Sequence, residues 1–320
     1  MKKNIAKKID RLLSLVIIGV LLPLFVTIIC QRMQLEEIIY GEAQTANGET
    51  VNETEKTDKQ DNEQAEVQAI EQQVIGIVAK EISPNVEREA LLSQCVIART
   101  NLYDAREKNI AEPESLSLAE MKELWGENFE QIYAELEGGV KETKNQVLMW
   151  NGDYIYAAYH ALSAGRTRDM SRLYGEAKMP YLKEQLCKDD AVAEGYLSVN
   201  YWAREEFLAK CAELFPESVP KSIDELVVTS RDETGYVEEI TVGGKTYTGE
   251  EFRSRFKLNS ACFTITGIEE QVRIVTKGIG HGFGLSQNTA ICMAKEGSTY
   301  EDILAYFYPG TELTEADVLK

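Results

Sequence analysis

The chain predicts an α+β fold, and three observations carry that prediction. Apolar residues recur at helical spacing between 86 and 106, Asn151-Gly152 sits between two strand-like runs, and Val272-Arg273-Ile274-Val275-Thr276 leads through alternating glycines into a helical segment. Taken in order, the first element is a membrane anchor. Lys2, Lys3, Lys7, Lys8 and Arg11 make residues 1–11 a basic tail, and the stretch from Leu12 to Cys30 carries no charge. Nineteen such residues suffice to cross roughly 30 Å of hydrocarbon as a helix. The basic flank predicts a cytoplasmic N-terminus and an exterior location for everything after it. No small-x-small site follows the apolar run, which favours a retained anchor over a cleaved signal peptide, and Ile29 before Cys30 argues against a lipoprotein.

Residues 31–66 read as a flexible acidic linker. From Glu36 to Glu71 there are eleven acidic residues and two lysines, with almost nothing apolar from Gly41 to Asn62. This segment supplies close to half of the net charge of −19. So acidic a chain is unsuited to nucleic acid, and that class is excluded. Residues 67–320 are long enough to bury a substantial core.

Within that domain, 71–82 reads as a strand or a helix, and a helix follows from about Val86 to Arg106. Leu91, Cys95, Ala98 and Leu102 form one stripe, while Leu92 and Val96 lie on a second face, so the first half of this helix is buried nearly all round. Glu89 shares the second face. A carboxyl there would be partly desolvated and suited to giving up a proton near neutral pH; a Glu in a helix's first turn also serves commonly as a dipole partner. Residues 107–139 predict a helix pair, with Ser117 and Glu120 at capping-box spacing. From Val140 a strand is expected to run to a turn at Asn151-Gly152, with a second strand to Tyr159. Ser286 to Glu296 predicts a helix capped by Ser286 and closed by Gly297.

The loop Gly280-His281-Gly282-Phe283-Gly284-Leu285-Ser286-Gln287 reads as ligand-facing, its glycines admitting backbone, imidazole and amide where side chains would clash. A nucleotide is rejected, since Phe283 occupies the third glycine position of G-x-G-x-x-G and no G-K-[ST] follows. Cys95, Cys187, Cys211, Cys262 and Cys292 are odd in number and contain no C-x-x-C, so no disulfide framework is expected. With His160 and His281 the sole histidines and no H-E-x-x-H, no metal and no cofactor are assigned.

Several blocks carry a family likeness. Gly280 to Gln287, Met293-Ala294 with Gly297, and Tyr300, Ile303, Leu304, Phe307, Tyr308, Pro309, Gly310 and Thr311 resemble the C-terminal signature of the stage II sporulation protein D family of peptidoglycan lytic transglycosylases. Glu81-x-x-Pro84 and Glu89-Ala90-Leu91-x-x-Gln94-x-x-x-Ala98-Arg99-Thr100 resemble its E-M-P and E-A-L blocks. Tyr159-His160-Ala161-Leu162-Ser163-Ala164-Gly165-Arg166-Thr167 is similar to its F-H-S-T-S-G-G-x-T, followed by Pro180-Tyr181-Leu182; a weaker block holds Phe252-Arg253, Leu258, Ser260 and Phe263. Departures stand at Asn288-Thr289, where the family has a bulky residue and glycine, and at Ala161 and Ala164.

The resemblance implies a catalytic domain with a substrate groove, in which Glu89 is the acid and Glu81 the reserve. It implies glycan contacts at Gln94, Arg99, Tyr159, His160, Ser163, Gly165, His281, Gly282, Ser286 and Gln287, with Tyr159 and Tyr181 available to stack on sugars. Its expected partners are peptidoglycan glycan strands, a cell-wall amidase and a polytopic membrane protein, met in the space between mother cell and forespore. Related domains act as amidase enhancers, which leaves a non-catalytic glycan-binding role as the alternative.

Overall fold

The structure is a computed structural model that describes residues 67–83, 85–174 and 179–316. The expected basic tail, anchor and linker, and Pro84, lie outside the described residues. Glu63–Lys320 form one compact unit of mixed helix and strand, the α+β class the sequence predicts. Among the described residues no helix is long and apolar enough to cross a membrane.

Helix α1 covers 67–81, and α2 is Arg88–Glu107. The two apolar faces of α2 enter different cores. Leu91, Cys95, Ala98 and Leu102 pack with Ile70, Val74, Ile77 and Val78 of α1 and with the helices that follow. Val96 and Ile97 pack with the C-terminal helices, including Phe307 and Tyr308. A helix shared by two cores has no solvent side, which is why even Ser93, Gln94, Arg99 and Thr100 of α2 are buried.

The predicted helix pair is present as α3, Leu118–Trp125, with the Ser117–Glu120 capping box formed, and α4, Phe129–Glu142. Val140 corrects the sequence reading: it lies in the last turn of a helix and does not begin a strand. Phe129, Leu136 and Val140 are the buried face of α4 against α1 and α2, so helical periodicity prevails over the β-branched residue. Strand β1 is Gln146–Trp150, turning through Asn151 (φ 53°) and Gly152 (φ 88°) into β2, Asp153–Tyr154. The second strand stops well short of Tyr159. Beyond it the Asn101 side chain takes over as a strand partner, donating from Nδ2 to the Ala157 carbonyl at 3.0 Å and accepting the Ala157 N–H at 2.8 Å.

Tyr159–His160 then form β3, followed by the short helix α5, Met170–Tyr174. Strand β4, Leu197–Ala203, and helix α6, Arg204–Leu214, lead into a second half built of strands β5 (Leu226–Arg231), β6 (Val237–Val242) and β7 (Lys245–Thr248). Helix α7, Gly249–Phe256, then precedes β8 (Phe263–Ile268) and β9 (Gln271–Lys277). These elements make two antiparallel sheets, ordered β5-β6-β7 and β4-β9-β8. Phe207, Phe215, Phe252 and Phe263 fill their common core. The chain returns through β10 (Leu285–Ser286), α8 (Gln287–Lys295), α9 (Tyr300–Phe307) and β11 (Glu312–Glu315), which pairs antiparallel with β1.

One connection positions the site. β10 pairs in parallel with β3, Leu285 opposite Tyr159 and Ser286 opposite His160, which brings the two resemblance blocks at 159–167 and 280–287 together.

Candidate active site

The glycine-rich loop lies against the β3 segment. A Cβ on Gly284 (φ +66°) would sit 1.9 Å from the Ala158 carbonyl oxygen, and one on Gly282 would sit 2.5 Å from the Tyr236 ring. These glycines admit neighbouring protein groups. Arg168, an unassigned residue in the sequence reading, clamps the same loop. Its guanidinium lies over the rings of Tyr236 and Phe283, at 4.8 and 4.5 Å, and Nε donates to Asp232 at 2.6 Å. Its backbone N–H donates to the Gly282 carbonyl at 2.7 Å.

The loop fixes both histidines through one residue. The Phe283 N–H donates to Nδ1 of His281 at 3.1 Å, and the Phe283 carbonyl meets Nδ1 of His160 at 3.0 Å. A carbonyl only accepts, so His160 carries its proton on Nδ1 and its Nε2 is left as an acceptor; that atom is buried with no partner. In His281 the donated N–H requires an unprotonated Nδ1, and the Tyr159 backbone takes part from the other side. The rings lie 5.8 Å apart. Burial pushes the His160 imidazole down to about 4 and that of His281 to about 3, the latter also disfavoured by His160, Arg253 and Arg168. Both rings are neutral at pH 7.

A second group of side chains joins there. Gln287, first residue of α8, donates from Nε2 to the Glu81 carbonyl at 2.9 Å and to Oε1 of Gln94 at 3.4 Å. Gln94 is 1% exposed, and its own Nε2 has no partner. The Tyr159 hydroxyl bonds the Glu81 carboxylate; burial, then that carboxylate, hold the phenol far above its ordinary range. Glu81, Gln94, Tyr159, His160, His281 and Gln287 therefore form one polar cluster around the β3–β10 pair.

Glu89 stands at the N-terminal end of α2. It is half-buried, and its Oε2 accepts the Tyr300 backbone N–H at 2.7 Å, at the first residue of α9. Oε1 makes no hydrogen bond to the described residues. One oxygen is thus held and the other open. Gln94 follows one and a half turns along, about 7.5 Å in helical rise.

Three expected contacts have structural roles. Arg99 is 0% exposed and bonds the Glu71 carboxylate with Nε at 2.8 Å and Nη2 at 2.6 Å. It also donates to the Val140 and Gln146 carbonyls, so it ties α1, α2, α4 and β1 together and has no donor directed at a ligand. Ser163 and Ser286 belong to a hub at Asp190, which the sequence reading missed. Fully buried Asp190 accepts the Ser163 N–H and the Ser286 hydroxyl, both at 2.7 Å, the Asn288 amide at 3.0 Å and the Thr289 hydroxyl at 2.9 Å. Asn288-Thr289, where the family pattern is broken, thus supplies half of this hub. Gly165 (φ +104°) sits at its edge, its N–H donating to the Ser163 hydroxyl. Tyr181 is 5% exposed and its hydroxyl accepts the Tyr156 N–H.

The five described cysteines are all free. Among the described residues no group of His, Cys, Asp and Glu has the arrangement of a metal site.

Residues 58–150 match the family model described as Stage II sporulation protein. The chain is 30% identical over 270 residues to stage II sporulation protein D of Bacillus subtilis, covering 80% of this chain and 77% of that one. It is 29% identical over 263 residues to stage II sporulation protein D of Bacillus amyloliquefaciens, covering 78% and 75%. A more distant relative, an amidase enhancer of Bacillus subtilis, is 24% identical over 292 residues, covering 75% of this chain and 40% of that protein.

Proposed function

The chain belongs to the stage II sporulation protein D family, and from that premise we propose that it is a membrane-anchored lytic transglycosylase that cuts peptidoglycan glycan strands during sporulation. The observation that carries the proposal is the pair of unpartnered buried atoms in the polar cluster around the β3–β10 pair, to which the helix that bears Glu89 contributes Gln94. Nε2 of Gln94 lacks an acceptor and Nε2 of neutral His160 lacks a donor. A buried polar group without a partner costs about 1–3 kcal/mol. Sugar hydroxyls and acetamido groups offer both kinds of partner, so bound glycan would relieve what the unliganded protein tolerates.

In this mechanism the open oxygen of Glu89 protonates the glycosidic oxygen between N-acetylmuramic acid and N-acetylglucosamine, and the bond to muramyl C1 breaks. The resulting carboxylate takes the proton of the muramyl C6 hydroxyl while O6 bonds to C1, which closes a 1,6-anhydro ring. Tyr300 holds the carboxylate in place through both steps. Hydrolysis by two carboxylates would need the second one placed for water or for a covalent intermediate; here Glu81 is engaged by Tyr159. Gln94, His160 and Gln287 hold the sugars and stabilise the developing oxocarbenium. The anchor, the exterior location, the peptide-stripped state of the substrate and the partners, an amidase and a polytopic membrane protein, are part of the same proposal.

The second reading is a non-catalytic enhancer that binds glycan and positions an amidase. It draws on the Glu89–Tyr300 bond, which a helix cap alone would explain. Turnover of peptide-free strands by the full chain separates the two. Glu89→Gln lowers kcat by about a thousandfold and leaves binding intact, a loss in the range expected for a general acid. Cleavage at the wild-type rate by Glu89→Gln removes Glu89 from the mechanism; retention of binding with no cleavage by any form establishes the enhancer.

A further inference from the structure

At the opposite end of α2 from Glu89 the surface opens into a cavity of about 650 Å³. Its lining includes Trp150, Asn151 and Asp153 of the β1–β2 hairpin, Tyr181, and Glu107 with Lys108 at the end of α2. Glu107 lies roughly 27 Å from Glu89 along the helix axis, at 1.5 Å of rise per residue.

We propose that this cavity is a second glycan-binding subsite, which holds a neutral N-acetylhexosamine of the same strand several sugars from the cleavage point. The proposal rests on the reading of the protein as a glycan-strand enzyme. Its chemistry follows from the lining. The half-buried Trp150 ring is an apolar surface of the sort that covers the C–H face of a sugar, and the buried Tyr181 ring, 6.1 Å away at 49°, backs it. Trp150 is held from behind, since a Cβ on Gly310 would lie 2.7 Å from its ring. Tyr181 is held by its hydroxyl on the Tyr156 N–H.

Around these rings the polar groups are unengaged. The Trp150 indole N–H and the side chains of Asn151, Asp153 and Glu107 make no hydrogen bond to the described residues. Together they supply an amide and an indole donor with two carboxylate acceptors, a set that matches hydroxyl and acetamido groups. Lys108 is paired with Asp104, so the uncompensated charge of the lining is negative. That balance disfavours a phosphate or a carboxylate ligand and selects the neutral sugar of the repeat. The sharp hairpin turn presents Asn151 and Asp153 on either side of Gly152 with a fixed backbone, so little ordering is needed on binding.

The test compares long peptide-free glycan strands with a short muropeptide-free tetrasaccharide as substrates of the full chain, in wild-type form and as Asp153→Ala and Trp150→Phe. For long strands both variants raise KM about tenfold with kcat unchanged, and for the tetrasaccharide both constants stay at wild-type values. Asp153 is exposed, so its variant keeps the test valid where a tryptophan substitution disturbs folding. Equal KM on long strands for wild type and Asp153→Ala, with cleavage intact, overturns the subsite and leaves the enzyme standing. Absence of cleavage by every form, accompanied by binding of long strands that Asp153→Ala weakens about tenfold, keeps the subsite and removes the enzyme.

Discussion

Asp190 and Gln94 sit on two sides of the same short parallel pair, β3 with β10, yet they are opposite kinds of polar cluster. Asp190 is fully buried, and its two oxygens receive four hydrogen bonds from Ser163, Ser286, Asn288 and Thr289. Gln94 is as deeply buried, and one of its two polar atoms is left without a partner, as is Nε2 of His160 nearby. A saturated cluster has nothing to offer a ligand and serves as scaffold. An unsaturated one, held open by its neighbours, is where a ligand completes the structure.

Substitutions sharpen that contrast. Asp190→Ala strands four donors in the interior and costs roughly 3–5 kcal/mol of stability, read as a fall in the urea midpoint; a loss under about 1 kcal/mol would mean that the hub is not scaffold. Acidification probes the histidines that carry the open side. In the folded protein His160 titrates at about 4 and His281 at about 3, below the unfolded value of 6.5. Since the unfolded chain binds these protons first, stability is complete above about pH 6.5 and falls as pH drops toward 4, by about 3 kcal/mol for His160 alone. Replacing His160 by Gln should flatten that part of the stability curve, and an unchanged pH dependence contradicts the neutral, buried ring. The smallest effect belongs to Gln94→Leu. It removes an unpaired donor, so the midpoint shifts by less than about 1 kcal/mol while affinity for glycan strands falls about tenfold. A large stability loss with unchanged affinity would place Gln94 with the scaffold.

The sequence made the local elements legible where short-range rules operate. The two faces of α2, the Ser117–Glu120 box, the Ser286 cap and the Asn151-Gly152 turn all stand where propensity and spacing put them. It failed where a distant partner decides. Val140 looked like strand until its face met α1 and α2, and the run after Tyr154 left the hairpin because Asn101, on another element, bonds Ala157. The site shows the same division. The resemblance blocks named the histidines, Gln94 and Gln287, which the fold gathers. Arg99, Ser163 and Ser286 come from the same blocks and are hydrogen-bonded to protein groups; motif membership does not distinguish a residue that touches substrate from one that supports it. Asp190 and Arg168 escaped notice altogether, since an isolated Asp and Arg carry no spacing signal and acquire roles only through distant contacts, 27 to 99 residues away for Asp190 and more than sixty for Arg168.

The measurement that bears most directly on the account is mass spectrometry of peptide-free glycan strands after incubation with the full chain and with its Glu89→Gln variant. The account predicts 1,6-anhydro-muramyl ends from the wild-type protein and none from the variant. Hydrated reducing ends from the wild type, or anhydro ends formed equally by both, would contradict it.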